Sequence, residues 1–451
     1  MLQKKIAVAV ALAAVSAAPG LALATDVFRL EGIGAVSRAM GGTATAHDVG
    51  PGGMLTNPAT LSLGQSNREI MLGLDVVTTD ITAKDLATGE TADSHTHSNN
   101  RGPYYAPEVA YTQRVGSWTF GVGAFAQGGL GTEFGRDSFL SRANAGVNSG
   151  LENSSRLLVL DIPFAASYRV SDALTVGASL DAMWQGLNLD LLLGLDQVGS
   201  LIASGRVNGT LALPPLQGAH FSLTQNKMLG SGVDAWGYGG RIGMTYQVSA
   251  DTRLGAAYSF KSQIADMKGN ATLSAVTAGG NVAVPGKIKI LDFQMPARLD
   301  LGLNHRLTPQ WTVAMDISQV FWKDVMKDIK VAFDSAAGNL NIQLPQNYRD
   351  QTVLALGASY AWTPALTLRA GARFATQALR GDTLFAVVPA IPTKHASFGL
   401  SYVVAPGSRI DFAYSHAFKE TMQNRNLPNT SDPIEVSHSQ NNVTLNYSLS
   451  F

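Results

Sequence analysis

Nine charged residues, Asp161, Asp181, Arg241, Arg298, Asp300, Asp316, Arg369, Arg373 and Asp411, fall on the polar side of stretches that alternate with period two. Two chemistries suit such a set. One or two of the arginines could hold a carboxylate head group through paired, charge-assisted hydrogen bonds. The favoured reading is a network of ion pairs between a wall and whatever fills it. Asp93, His95 and His97 form a His-x-His cluster, but two imidazoles and one carboxylate in a polar stretch are too few for a closed metal site, so no metal is expected. No Gly-x-Ser-x-Gly elbow or P-loop is present, and Gly32-x-Gly34 lacks the third glycine and preceding strand of a dinucleotide fingerprint. No cofactor is expected. A Ser/His/Asp site gathered from distant strands stays open, since such groups need only meet in space. Phe321-Trp322-Lys323 reads as an interfacial aromatic-plus-cation anchor ahead of a ring-stacking site.

These residues are positioned by strands. The last eleven residues alternate strictly: Val443, Leu445, Tyr447, Leu449 and Phe451 share one face, and Asn442, Thr444, Asn446, Ser448 and Ser450 the other. A greasy face opposite a small-polar one is the pattern of a wall between lipid and a wet interior. From about Arg68 onward similar stretches recur. Leu174, Val176, Ala178 and Leu180 oppose Thr175, Gly177, Ser179 and Asp181, and Leu299, Leu301 and Leu303 oppose Arg298, Asp300 and Asn304. Tight turns such as Val170-Ser171-Asp172, Thr308-Pro309-Gln310 and Trp362-Thr363-Pro364 join strands in hairpins. Longer connections alternate with them, at roughly Gly128 to Ser155, Asp196 to Asp234, Asn270 to Lys287 and Thr376 to Lys394. The reading is an all-β, antiparallel transmembrane β-barrel of about fourteen strands over residues 68–451.

Composition agrees with that reading. Lys4 and Lys5, the apolar run Ile6 to Ala17 and Ala22-Leu23-Ala24 make a secretory leader over residues 1–24. Its removal leaves the chain two units negative, with no basic excess for nucleic acid. No later stretch offers the ~20 uninterrupted apolar residues that a membrane helix needs. Cysteine is absent, so neither disulfides nor thiolate metal sites contribute.

Residues 25–67 stand apart. They are rich in Gly, Ala and Ser, yet Val27, Phe28, Leu30, Ile33, Val36 and Met40 carry too much apolar surface for a disordered tail, which favours a plug inside the lumen. The loops are also apolar: Leu130, Phe134, Phe139 and Leu140 in one, and Val198, Leu201, Ile202, Phe221, Leu223, Met228 and Leu229 among those in the next. The loops of a sugar or ion porin have little reason to be so.

At this segment the chain resembles the outer-membrane long-chain fatty acid and hydrocarbon transporters of the FadL/TodX type. The resemblance runs through Gly32-Ile33-Gly34-Ala35-Val36-Ser37-Arg38-Ala39-Met40-Gly41-Gly42, Asp48 and a closing Asn57-Pro58-Ala59, where that family has a glycine-rich hatch. It continues through Gly121 to Phe134, a third strand ending in Gly-Leu-x-x-x-aromatic, and Phe385 to Phe418, with Pro389 and Pro392 before the penultimate hairpin. The resemblance implies a fourteen-strand barrel in the Gram-negative outer membrane, closed by a hatch. Cargo would be caught by outer loops, held in a lumen pocket and released sideways through a gap at an inward kink in the third strand. By that resemblance Phe28 at the extreme N-terminus would reach the pocket. Leu30 beside it, and Leu130, Phe134, Phe139 and Leu140 from the apolar content of their loop, are further candidate cargo contacts that the resemblance does not supply. Asn57, Pro58 and Ala59 would form the hatch turn beside the gap. The expected function is passive uptake of hydrophobic small molecules by a monomer, not an enzyme, surrounded by outer-membrane lipid. The strand ending in Phe451 would engage the barrel assembly machinery. A barrel enzyme acting on lipids, a general diffusion porin and a purely structural barrel are the alternatives.

Overall fold

The computed structural model describes residues 27–95, 103–223 and 231–451. The leader, His97, Met228 and Leu229 lie outside these residues, as does the side chain of His95. At the tight-turn rim the same device recurs. The hydroxyls of Ser171, Thr308 and Thr363 each accept from the N–H groups two and three residues on, at 3.0 to 3.3 Å, which closes the chain into the next strand.

Sixteen strands form the wall: β1 (Arg68–Asp85), β2 (Tyr104–Val115), β3 (Trp118–Glu133), β4 (Ser154–Arg169), β5 (Leu174–Gly194), β6 (Gly218–Leu223), β7 (Val233–Ser249) and β8 (Thr252–Ser259), then β9 (Met267–Thr277), β10 (Arg298–Arg306), β11 (Trp311–Val320), β12 (Gln351–Ala361), β13 (Leu366–Ala375), β14 (Lys394–Ala405), β15 (Ser408–Asn424) and β16 (Ile434–Ser450). Each pairs antiparallel with its neighbours in the order β1–β2–β3–β4–β5–β6–β9–β7–β8–β10, and then consecutively from β10 to β16. The circuit closes where β1 pairs with β16 from Glu69↔Ser450 to Asp85↔Ile434. Among the described residues the circuit of sixteen strands therefore has no free edge, as lipid requires.

The expected count of about fourteen is too low. At the outer end β6 and β9 stand between β5 and β7, while further along the wall β5 pairs directly with β7 from Leu174↔Tyr246 to Leu187↔Val233. Two connections are also shorter than expected. Strand β3 continues to Glu133, so Leu130 belongs to the wall rather than a loop, and its side chain lies outside the description. The stretch from Asn270 to Lys287 is a hairpin, with β9 paired to Gly280–Leu291 from Met267↔Ile290 to Thr277↔Gly280.

Alternation holds along the wall. Phe164, Leu180, Leu301 and Leu445 are exposed on the outer face, while Asp161, Asp181, Asp300 and Asn446 are buried on the inner one. The ladder is interrupted between β8 and β9 and before β10. Gln294 fills the break with its side chain: Oε1 accepts from the Ile264 N–H at 2.7 Å and Nε2 donates to the Ile264 carbonyl at 2.7 Å. A similar interruption after β11 turns Trp322 inward, where it is fully buried. The interfacial anchor expected at Phe321-Trp322-Lys323 is thus wrong for the indole, because the strand break resets which side of the wall it faces.

The segment from Val27 to Asn67 is bonded to strands on every side of the circuit. Gly34 N–H donates to Glu108 of β2 at 3.1 Å, Gly41 N–H to Ser397 of β14 at 3.1 Å, and Ala44 and Thr45 N–H to Asp316 of β11 at 2.8 and 3.0 Å. Gly41 has φ +70°, and a Cβ there would strike the carbonyls of Ala372 and Leu356, so only glycine fits.

Candidate ligand cavity

The inner face changes chemistry along its length. On β5 the inward residues begin with Thr175 and Asp181, and the same parity continues as Leu187, Leu189, Leu191 and Leu193. On β4 they run from Ser167 and Asp161 to Val159 and Leu157. Below, Arg241 bridges Asp161 at 2.9 Å and Asp181 at 2.5 Å, and Arg298 pairs with Asp300 at 2.7 Å. These pairs join wall residues to one another rather than wall to plug as expected from the sequence. Asp316 accepts from Ala44 and Thr45 of the N-terminal segment by hydrogen bonds, and an ion pair from that segment to the wall is Arg38 with Asp75.

Above the polar zone lies a cavity of about 880 Å³ lined by Phe28, Leu157, the four β5 leucines, Phe221, Leu223, Ile288, Ile290, Phe293, Ile329, Val331, Ile342, Leu344, Phe385, Val387 and Val388. Ser155 is the one polar residue among the described residues of this lining, and its hydroxyl donates to the Val387 carbonyl at 2.5 Å. A carboxylate here would have no cationic partner among the described residues of the lining. The loop bearing Phe385 and Val387 is pinned inward by Thr132 on the Val387 carbonyl at 2.9 Å and by His438, which contacts the Pro389 carbonyl at 2.7 Å.

Two further cavities adjoin it. An outer groove of about 580 Å³ includes Phe139, Leu140, Arg142 and Gln197, and shares Leu191, Phe385 and Val387 with the apolar cavity. A polar chamber of about 410 Å³ includes Arg29, Leu30, Glu31, Gln127, Arg298 and Arg373. The structure thus places Phe28 on the main cavity, Phe139 and Leu140 on the groove and Leu30 on the polar chamber; Phe134 is buried in the apolar cluster around the main cavity. The β5 leucines and the isoleucines of 288–290 were missed. Their signal was available: before Gly186 the apolar residues Leu174, Val176, Ala178 and Leu180 take one parity, and after it Leu187, Leu189 and Leu191 take the other, with Asn188 and Asp190 opposite them, which marks an inner surface that is no longer wet.

Asn57-Pro58-Ala59 opens a 3₁₀ turn, Pro58–Leu63. The Asn57 side-chain Oδ1 caps it by accepting from the Ala59 N–H at 3.1 Å, and its Nδ2 donates to the carbonyls of Thr45 at 2.7 Å and Met244 at 3.0 Å. Ala59 is fully buried, and its carbonyl accepts from Ser167 and Thr175 at 3.1 Å each. The turn is therefore seated on β4, β5 and β7.

The ladder between β2 and β3 ends at Glu108↔Phe125, and the ladder between β3 and β4 shifts register between Ala126 and Gly128. Residues 28–30 pair with β3 at this place. Leu30 N–H donates to the Gln127 carbonyl at 3.1 Å, Gly129 N–H donates to the Phe28 carbonyl at 2.9 Å, and Arg29 bridges Gly128. A Cβ on Gly128 would run into the Phe28 carbonyl, so glycine allows the close approach.

Arg38 anchors the same segment. It is fully buried and pairs with Glu31 at 3.1 Å and Asp75 at 2.6 Å. Burial alone would raise the Glu31 carboxyl, but Arg38, His395 and a hydrogen bond from Asn442 outweigh it and hold the pKa down to about 2. Because this folded value lies below the ordinary 4.5, ionised Glu31 stabilises the attachment fully above pH 4.5, and the contribution is lost as pH falls toward 2. Amide hydrogen exchange of residues 34–40 should show constant protection from pH 8 to 5 after correction for the intrinsic rate, and falling protection below about pH 4. Loss of protection already at pH 6 would contradict this role for Glu31.

A closed antiparallel barrel with an outward apolar band is an outer-membrane channel. The chain belongs to the outer membrane protein transport protein family (OMPP1/FadL/TodX), whose model matches residues 9–451. It is 42% identical to the toluene transporter TodX of Pseudomonas putida, covering 94% of this chain and 99% of that one with a TM-score of 0.83. The toluene transporter TbuX of Ralstonia pickettii is 45% identical over 94% of this chain and 99% of its own, with a TM-score of 0.80. A long-chain fatty acid transport protein of Escherichia coli O6:H1 is 24% identical over 91% of this chain and 90% of its own. The family and these structural neighbours are transport proteins of the Gram-negative outer membrane, not enzymes, and the lipid-hydrolase alternative falls with that.

Proposed function

We propose that this protein carries uncharged hydrophobic small molecules, hydrocarbons ahead of fatty acids, passively across the outer membrane. The observation that carries the reading is the apolar cavity, whose lining among the described residues holds no ionisable side chain and whose single hydroxyl there is already bonded. Each methylene moved from such a surface into water costs about 0.8 kcal/mol, so a dry apolar site captures cargo that a wet bore would not. The toluene transporters among the relatives support the same substrate class.

In this reading residues 1–24 are a leader, 25–67 a hatch and 68–451 the barrel. Cargo is caught in the groove by Phe139 and Leu140, moves past Leu191 into the cavity and meets Phe28. It leaves when residues 28–30 part from β3 and uncover the end of the β2–β3 ladder, a sideways exit into lipid. Partitioning and consumption inside the cell drive the flow. The monomer needs no cofactor, and the strand ending in Phe451 is the one handed to the assembly machinery.

The natural chain has no cysteine, so a paired Leu30→Cys and Gln127→Cys variant tests the exit cleanly. Oxidation should lower toluene uptake by about tenfold or more and leave toluene binding unchanged, with reductant restoring uptake. Undiminished uptake in the oxidised variant would overturn the sideways route. A large, steady conductance of the wild type without cargo would favour a general porin instead.

A further inference from the structure

Four aromatic rings meet at the floor of the apolar cavity. Phe28 and Phe293 face the space, and Trp322 and Tyr348 stand behind Phe28. The Phe28 ring lies 5.5 Å from Trp322 at 87°, 6.2 Å from Phe293 and 6.4 Å from Tyr348, while Trp322 and Tyr348 are 6.2 Å apart at 67°. Trp322 is completely buried, and its Nε1–H has no hydrogen-bond acceptor among the described residues. Burying a donor without an acceptor is unfavourable, and a core built only for stability would pair it or replace it with an apolar ring.

Phe293, Trp322 and Tyr348 sit in breaks between strands of the sheet. Phe28 belongs to a segment joined to β3 by the two backbone hydrogen bonds around Gly128. We propose that Phe293, Trp322 and Tyr348 form a ring-sized recognition site that Phe28 fills in the resting protein and that a monocyclic aromatic cargo fills in its place. The inference rests on the reading of the cavity as the cargo site. An incoming ring can offer its π face to the indole edge and an edge to its neighbours. A saturated hydrocarbon of equal carbon number has no such face, and leaves the N–H unanswered. Trp322 thereby sets the preference for aromatic over aliphatic cargo, and Phe28 competes with the aromatic one.

Toluene and n-heptane, both seven-carbon, separate the two kinds of cargo. Their binding would be measured by calorimetry on the full-length purified protein, with heat-modifiable gel mobility confirming a folded barrel. Phe28→Leu keeps most of the volume and removes the competing ring. It should tighten toluene about tenfold and heptane by less than about threefold. Trp322→Phe keeps a ring and removes the N–H, and Trp322→Leu removes both. The first should weaken toluene several-fold and the second about tenfold, with heptane nearly unchanged in each. A toluene-to-heptane ratio that stays constant across these variants would overturn the inference while leaving the cavity reading intact. Failure of the wild type to bind either molecule would sink the cavity reading itself. If a Trp322 variant does not fold, the ratio in Phe28→Leu decides alone.

Discussion

Leu191→Asp is expected to weaken toluene binding by roughly thirty- to hundredfold while leaving the barrel folded. Leu191 lines both the apolar cavity and the outer groove, a place it shares with Phe385 and Val387. A leucine at this place supplies about 2–3 kcal/mol of apolar contact, and each 1.4 kcal/mol is tenfold in affinity. An ionised carboxylate would also draw water into a space whose other walls cannot bond it. The strand itself should persist, because β5 is held by backbone ladders to β4, β6 and β7 that do not involve the side chain. Binding measured on the folded variant checks this. Affinity within threefold of the wild type would show that cargo does not use this cavity.

Arg38→Met should release the N-terminal segment. The guanidinium is fully buried between Glu31 and Asp75, and Gly34 and Ala35 beside it donate to Glu108 and Asn446. Removing the cation leaves two buried carboxylates without their partner, a loss of about 3–5 kcal/mol. The wall does not depend on this pair, so heat-modifiable mobility should be kept. The segment should become cleavable by protease in folded protein, and single-channel conductance should rise as the lumen opens. Adding Asp75→Asn to the Arg38→Met variant should recover part of the protection, because one uncompensated charge is gone. A segment as protected in Arg38→Met as in the wild type would place its anchorage elsewhere.

The wall was legible wherever one face met lipid and the other met polar lumen, as at Leu174–Asp181 and Asn441–Phe451, since a period of two is then forced on the sequence. It was illegible where that contrast fails. Strand β3 seemed to end near Gly128 because the bulge at Gln127 and the glycines that follow break the alternation, although pairing resumes to Glu133. The β9 hairpin carries no lipid-facing pattern over Asn270 to Lys287 and so read as a loop. The cavity hid for a related reason: along β5 the apolar parity inverts after Gly186, with Leu187, Leu189 and Leu191 inward and Asn188 and Asp190 on the other face, so a fixed rule of apolar outward and polar inward misassigns the end of the strand. Trp322 was misplaced because its direction depends on a strand interruption that no local pattern announces. Phe28 and the Asn57 turn were found through the family resemblance, and nothing in their spacing alone would have paired the first with β3 or the second with Met244.

Accumulation of radiolabelled toluene at low external concentration, in cells lacking their own hydrocarbon channels, tests the whole scheme most directly. Cells expressing the wild-type chain should take it up several-fold faster than cells carrying an empty vector, and cells expressing Leu191→Asp should match the empty vector. Equal rates in all three, with the protein folded in the outer membrane, would contradict a dry hydrocarbon passage through this barrel.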